Sequence, residues 1–179
     1  ATASLEVGQN GGVVLTSGCA DSGTGAYALI LQLAARPLGL DPGSIELRVM
    51  DTLETPFDPG AGSSRATTVT GGAVAAVAAE LAEALKTQAA AMLGCAPDSV
   101  EFDGGLVRGA GRSLALGEVA ATHPDAQGGT LRIERDIDTG LAPVPMTHED
   151  TGYGDISPAY PFAAHGVEVE VDRETGSVR

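Results

Sequence analysis

Aromatic residues are the first thing this sequence lacks: it has no tryptophan and only three phenylalanines and three tyrosines. Its core must therefore be built from Ala, Val and Leu. Cysteine is equally scarce, since only Cys19 and Cys95 occur, far apart and each beside small residues. This pattern indicates buried thiols in a reducing compartment, such as the cytoplasm, and not a disulfide framework.

Positive charge is also in short supply. Ten Lys and Arg stand against 24 Asp and Glu, which gives a net charge of −14 and a pI near 4.3. Nucleic acid and anionic membrane surfaces would be repelled over most of such a surface, so neither is an expected partner. The sequence shows no N-terminal signal segment and no apolar run of about 18 residues, so nothing in it indicates export or a membrane span. With 43% hydrophobic residues, the chain should fold around a core.

Several catalytic and phosphate-binding motifs are missing. The sequence contains no G-x-x-x-x-G-K-[ST], no Rossmann G-x-G-x-x-G and no G-x-S-x-G elbow. His123, His148 and His165 stand alone, without the spacing of a metal site. The residues alone therefore predict neither a metal centre nor a nucleophile.

Hydrophobic periodicity predicts an α+β fold: a mixed or antiparallel sheet with two main helices packed on one face. The longer helix should carry an apolar stripe from Val74 to Met92 and end at Gly94. The predicted strands are residues 5–7 and 13–16 as a hairpin, 44–49, two short strands around 103–105, 130–136 and 162–171. The predicted helices are 26–36, the long helix just described and a short one at 113–121, which Ser113 would cap. Residues 137–161 are expected to be irregular.

Two small-residue loops precede the two main helices, one at 21–25 and one at 60–68. Asp21 or Ser22 can cap the first helix. If the two helix N-termini converge, their backbone N–H groups and positive dipole ends can cradle a phosphorylated or pterin-like group. The alternative is that each loop is only a cap and a turn.

The ordered motifs resemble the cofactor-binding subunit of the molybdenum hydroxylases, the group of xanthine dehydrogenase, aldehyde oxidoreductase and carbon monoxide dehydrogenase. D-S-G-T-G at 21–25 is similar to the family's D-x-G-Q-G loop, followed by a helix that ends in L-G. D-T at 51–52 with P-F-D-P-G at 56–60 and G-S-S-R at 62–65 resembles a second family stretch. Y-x-F at 160–162 and E-V-E-V-D-R-E-T-G at 168–176 resemble a third. The resemblance covers almost the whole chain.

This resemblance implies molybdopterin, in its cytosine dinucleotide form and carrying molybdenum, as the cofactor. The parent enzyme would hydroxylate a small organic substrate, an aldehyde or N-heterocycle, with water as the oxygen source. Its partners would be the rest of the molybdenum-binding subunit and iron–sulfur and FAD subunits or domains; a homo-oligomer is also compatible. Carried over by motif, the cofactor-binding residues are Gly23, Thr24, Gly25, Gly62, Ser63, Ser64, Arg65, Ala66 and Thr67.

Two departures from the family pattern limit the expected activity. Thr24 stands where the family has Gln, and its shorter side chain reaches less far toward the metal. The family's catalytic Glu lies in a G-x-G-E segment that this sequence lacks. We therefore expect residues 1–179 to form one domain fragment that supplies cofactor contacts but no catalytic residue or metal ligand, and that is inactive alone. Two alternatives are a domain that keeps the fold but no longer binds molybdopterin, and a stand-alone phosphate binder.

Overall fold

The computed structural model describes residues 1–62, 65–138 and 164–179. In the described residues, seven strands and three α-helices follow one another in the order of an α+β fold. They are β1 (Thr2–Gly8), β2 (Val13–Ser17), α1 (Ala26–Ala35), β3 (Ile45–Arg48), α2 (Gly71–Leu93), β4 (Glu101–Asp103), β5 (Leu106–Gly109), β6 (Arg112–Ala115), α3 (Leu116–Ala121) and β7 (Thr130–Asp136). The predicted fold class is confirmed.

The main sheet has the strand order β3-β2-β1-β7 and is mixed. β1 and β2 form the predicted antiparallel hairpin, with Leu5 opposite Leu15. β7 pairs antiparallel with the other edge of β1 and places Ile133 opposite Leu5. β3 runs parallel to β2, which requires a crossover, and α1 supplies it. This crossover carries the chain from the end of β2 through the loop that opens α1.

Helix α2 is the central element of the core. Leu81 and Leu85 are completely buried, and the predicted apolar stripe is buried from Val74 to Ala89. α1 packs beside α2, and both helices share one core with the sheet. Gly94 ends α2 in a left-handed conformation with φ 74°, as the sequence predicts. By length and composition the continuous helix from Ala66 to Leu93 could cross a membrane, but here its apolar side chains form the core.

The predicted helix at 113–121 is wrong at its start. Residues 112–115 form β6, the third strand of a small antiparallel sheet in the order β4-β5-β6, and Leu114 lies opposite Val107. The helix begins only at Leu116, and its N-cap is Ala115 instead of Ser113. Pairing with β5 satisfies the backbone of these residues, which a short local helix would otherwise have to do.

The final predicted strand is also wrong over its described part. Residues 164–169 pair with no described strand; Glu170 exchanges backbone hydrogen bonds with Arg179, and Val171 forms an isolated bridge to Val178. Val167 and Val169 are 85% and 56% exposed. Alternation alone does not make a strand, because the backbone needs a neighbouring strand, and no described strand lies beside this one. Residues 139–163, which hold most of the predicted irregular segment, lie outside the described residues.

Candidate functional site

The loop that opens α1 is organised by one carboxylate. Oδ1 of Asp21 accepts hydrogen bonds from the backbone N–H groups of Gly23 (2.8 Å), Thr24 (2.9 Å) and Gly25 (3.2 Å). Its Oδ2 accepts a longer one from Tyr27 N–H, at 3.4 Å. Asp21 therefore caps the helix, as predicted, although the N-cap position itself belongs to Gly25. These four donors are engaged inside the protein and are not free for an external anion.

The same contacts set the pKa of Asp21. Partial desolvation acts to raise the pKa of this carboxyl, but the four backbone N–H donors outweigh it and hold the pKa below its usual value. A group whose pKa is lower in the folded state stabilises the fold above its unfolded pKa. That contribution is lost as the pH falls through the folded pKa.

Asp21→Asn should therefore destabilise the chain in a pH-dependent way. The amide keeps an acceptor oxygen but loses the negative charge, so the melting temperature should fall at neutral pH. The difference from the wild type should shrink as the pH drops below about 3.9, the usual pKa of aspartate. Melting temperatures measured from neutral pH to below about pH 3.9 check this difference, with Ser22→Ala in the same loop as the control. A difference that does not change with pH would contradict this account.

The helical segment that leads into α2 begins differently from α1. A single π-helical turn, Ala66–Thr70, leads directly into α2, and its N-cap residue, Arg65, makes no side-chain capping hydrogen bond. The N–H groups of a first helical turn have no partner within the helix, and the helix dipole places positive potential there. Single π turns within helices occur frequently at functional sites. Unlike the start of α1, this helix end has no carboxylate cap from the part of the chain that the structure describes.

The two loops meet at one open cleft of about 360 Å³. Its walls come from the α1 loop and helix on one side and from the α2 loop and helix on the other. The lining residues are Thr24, Gly25, Ala26, Leu29, Ala61, Ala66 and Thr67. The hydroxyls of Thr24 and Thr67 have no hydrogen-bond partner among the described residues. The structure thus brings the predicted loops together around a space with small walls, two free hydroxyls and one uncapped helix end.

Four of the nine predicted site residues line this cleft: Thr24, Gly25, Ala66 and Thr67. Gly23 and Gly62 lie beside lining residues and have open space where a Cβ would stand. Ser63 and Ser64 lie outside the described residues. Arg65 is the ninth, and it is absent from the described lining of the cleft.

The side chain of Arg65 makes an ion pair with Asp58, with Nη1 and Oδ1 2.8 Å apart. Sequence reasoning placed Asp58 in a motif but did not predict it as a site residue. A carboxylate seven residues before an arginine, in a loop with two prolines, carries no periodic signal that links the two. The only available hint was the motif itself, P-F-D-P-G followed by G-S-S-R.

Cys19 is buried beside this ion pair and is 2% exposed. Burial and the negative charge of Asp58 raise the pKa of its thiol, and they outweigh the opposite effects of Thr70 and Arg65. The thiol is therefore protonated at neutral pH, which makes it a poor nucleophile and metal ligand. Among the described residues, no group of three or more His, Cys, Asp or Glu is placed to hold a metal ion.

Comparison with known proteins shows which family this chain resembles. A family model described as a molybdopterin cofactor-binding domain matches residues 1–179. The gamma subunit of the 6-hydroxypseudooxynicotine dehydrogenase complex of Paenarthrobacter nicotinovorans is 31% identical over 99% of this chain and 21% of its own length. The aldehyde oxidoreductase molybdenum-binding subunit PaoC of Escherichia coli is 30% identical, also over 99% of this chain and 21% of its own length.

Solved structures agree on the fold. Quinoline 2-oxidoreductase of Pseudomonas putida 86 matches 75% of this chain and 18% of its own, with a TM-score of 0.62 and 27% identity. A CO dehydrogenase of Oligotropha carboxidovorans covers the same shares, with a TM-score of 0.63 and 23% identity, and supports the fold alone. The chain spans about a fifth of the length of the curated relatives that it matches.

Proposed function

This chain belongs to the molybdopterin cofactor-binding domain family of the molybdenum hydroxylases, and from this premise we propose that the cleft between the α1 and α2 loops binds the molybdenum cofactor. The observation that carries the proposal is that residues of both motif loops line one cleft. The two loops are about 40 residues apart in the sequence, so their meeting is not a local effect. The function supported best is cofactor binding within a larger oxidoreductase.

The residues present fit such a group. Two hydroxyls and the start of the π-helical turn at Ala66, which leads into α2, are suitable partners for phosphate oxygens or for the polar edge of a pterin. Among the described residues, an added Cβ at Gly23, Gly25, Gly60 or Gly62 has no neighbour within 4 Å, so the described parts of the loops leave room for a bulky ligand. Because Asp21 engages the N–H groups of the α1 loop, we assign phosphate binding to the α2 side. The α1 side contributes the Thr24 hydroxyl.

Eight of the nine residues predicted from the sequence are proposed on this basis, with different roles, while Arg65, the ninth, pairs with Asp58 and does not line the described cleft. Thr67 and the backbone of Ala66 bind, and Thr24 and Gly25 form the opposite wall. Gly23 and Gly62 give the loops their shape, while Ser63 and Ser64 stay predictions. When bound, the molybdenum centre supplies two-electron redox chemistry. The described residues of this chain hold and orient the cofactor, and no catalytic group among them is proposed.

For the whole protein we propose hydroxylation of an aldehyde or an N-heterocycle with water as the oxygen source. The relatives named above are a complex subunit and a molybdenum-binding subunit. We therefore propose that residues 1–179 form one domain of a longer cytoplasmic subunit. That subunit would carry the cytosine dinucleotide form of the cofactor and associate with iron–sulfur and FAD partners.

A second candidate is a domain that has kept the fold and lost the cofactor. Capture of the α1 loop donors by Asp21 favours it, because those donors are closed to a ligand. Thr24, in place of the family's Gln, favours it as well. The two candidates differ in whether the full-length protein contains molybdenum.

Thr67→Val in the full-length protein should lower molybdenum retention about tenfold. The substitution keeps the side-chain shape and removes one hydroxyl, and a hydrogen bond to a charged group contributes about 1.5 to 3 kcal/mol. Molybdenum per chain after gel filtration, measured by mass spectrometry, tests this. Thr68→Val is the matched control, because Thr68 is the exposed neighbour that does not line the described cleft. Equal retention in both variants would contradict the assignment of the site.

A further inference from the structure

Asp58 is an unusual residue in this acidic chain, because its side chain is only 6% exposed. It lies in the loop between β3 and α2, where no regular secondary structure holds the backbone. Oδ1 accepts hydrogen bonds from Nη1 of Arg65 and from the backbone N–H of Gly60, both at 2.8 Å. Oδ2 lies 3.5 Å from the hydroxyl of Thr70, in the first turns of the helix. One buried carboxylate thus links three points of the loop and the helix start.

Arg65 closes the same network from the other side. Its Nη1 also donates to the carbonyl oxygen of Gly60, at 2.9 Å, so Asp58, Gly60 and Arg65 form a hydrogen-bonded ring. The guanidinium is 16% exposed, and it does not contribute to the described lining of the cleft. The guanidinium of Arg65 therefore points toward the carboxylate of Asp58 and not into the described cleft.

The loop between β3 and α2 also packs against Gly18, the residue that follows β2. A Cβ built on Gly18 would lie 2.2 Å from the carbonyl oxygen of Pro56 and 2.9 Å from Cβ of Asp58. The backbone at Gly18 thus touches the loop directly, and Cys19 is buried next to it. Ala61 and Ala66, which line the cleft, lie within or next to the segment that the ring from Asp58 to Arg65 encloses.

We infer that Asp58 is a positioning residue: its pairing with Gly60 and Arg65 fixes residues 58–62 relative to the helix start, so that Ala61, Ala66 and Thr67 form one wall of the cleft. In this assignment Arg65 acts through Asp58 and not as a direct partner of an anion in the cleft. The inference rests on the proposed function for the identity of the ligand, but not for the geometry of the loop.

Because the Asp58–Arg65 ion pair is buried, we expect loss of one partner to change the conformation of the loop. Removing one partner of a buried ion pair leaves the other charge without compensation, so the loop must rearrange to bring that charge to water. If Arg65 acts only through Asp58, loss of either residue produces the same rearrangement, and loss of both adds nothing further. If Arg65 bound the ligand directly, its loss would add to the loss of Asp58.

The test is a double-mutant cycle in the full-length protein, with Asp58→Asn, Arg65→Gln and the double variant. Molybdenum per chain is measured after gel filtration. Each single variant should retain about a tenth of the wild-type molybdenum, and the double variant, in which neither buried charge is left unpaired, should retain at least as much. Asp103→Asn is the matched control and should retain all of it, because Asp103 pairs with Arg108 at the same 2.8 Å distance but on the exposed small sheet. Loss in Arg65→Gln with full retention in Asp58→Asn, or additive losses, would overturn the inference.

A second readout does not depend on the cofactor. Cys19 alkylation by iodoacetamide, followed by peptide mass spectrometry and compared with Cys95, reports whether the loop still covers the thiol. The positive charge of Arg65 favours the thiolate, so its removal alone would slow alkylation. We expect Arg65→Gln to accelerate alkylation of Cys19 severalfold instead, because the loop opens; unchanged or slower alkylation would overturn the inference.

Folding failure and failure of the proposed function are distinguishable from these results. If Arg65→Gln unfolds, Arg65→Lys takes its place; because it keeps a positive charge beside the carboxylate of Asp58, it should retain more molybdenum than Asp58→Asn, and a larger loss than in Asp58→Asn would overturn the inference. A wild-type protein without molybdenum would contradict the proposed function. The alkylation result would then decide the role of the ion pair alone.

Discussion

Gly18→Ala is expected to remove most of the molybdenum from the full-length protein while the helices remain folded. The new Cβ would lie 2.2 Å from the carbonyl oxygen of Pro56. This is a backbone atom in a loop held by the buried Asp58, so it cannot move aside as the end of a flexible side chain could. Either the loop or the end of β2 must shift, and overpacking of this kind costs about 1 to 3 kcal/mol.

The loss of cofactor follows from where the shift occurs. The displaced segment continues into Ala61, which forms part of the cleft wall. We expect the molybdenum content to fall about tenfold, because about 1.4 kcal/mol of lost binding free energy, within the range that overpacking costs, corresponds to a factor of ten. Far-ultraviolet circular dichroism should remain close to that of the wild type.

The control for this experiment is Gly166→Ala. An added Cβ at Gly166 has no neighbour within 4 Å in the described part of the chain, and the residue lies in the exposed segment 164–179. Its molybdenum content should match the wild type. Full retention of molybdenum by Gly18→Ala would show that the loop against β2 does not shape the site, and would contradict the description of the cleft given above.

Leu81→Ala is expected to have the largest effect on stability, a loss of about 2 to 5 kcal/mol in the free energy of unfolding. Leu81 is completely buried near the middle of α2, the helix that contacts α1 and the main sheet. With few aromatic residues available to fill space, a cavity here is not easily closed. Single domains have about 5 to 15 kcal/mol of stability in total, so this loss is a large part of it.

Urea unfolding followed by circular dichroism measures this difference. Glu83→Ala, on the exposed face of the same helix, is the control: it removes only the i,i+3 pair with Lys86 and should change stability by about 0.5 kcal/mol or less. Leu81 is 14 residues from Thr67, roughly 21 Å along the helix axis, so the cofactor content of the folded variant should not change. A stability change below about 1 kcal/mol would contradict the assigned core.

The parts of the fold that sequence predicts well are those decided by local chemistry. The apolar stripe of α2 and its end at Gly94 follow from the 3.6-residue period and from the freedom of glycine to adopt positive φ. The hairpin of β1 and β2 follows from two short apolar runs and the Asn-Gly step between them. In each of these elements the residues that decide the structure are neighbours in the chain.

The predictions that failed depend on which segment a strand pairs with, even when that segment is close in the sequence. Ser113 looks like a helix cap, but β6 forms because Val107 and its neighbours offer a strand to pair with. The alternating valines from Val167 look like a strand, but no described strand lies beside them. A single sequence gives no information on which of two compatible partners a segment meets.

For the candidate site as well, the sequence predicts some features and not others. The motif resemblance identified both loops, and four of their residues line the described cleft. Two features depend on three-dimensional contacts: the capture of the α1 loop N–H groups by Asp21, and the burial of Asp58 beneath Arg65. Both change the roles within the site, since they make the α2 loop the proposed anion-binding side and give Arg65 an internal partner.

The most direct test of the central claim is the molybdenum and nucleotide content of the purified full-length protein. Molybdenum is measured by mass spectrometry, and CMP is measured after acid hydrolysis. Binding of the cytosine dinucleotide cofactor in this cleft predicts about one molybdenum and one CMP per chain. A well-folded full-length protein that contains neither would contradict the claim and would favour a domain that has kept the fold and lost the cofactor.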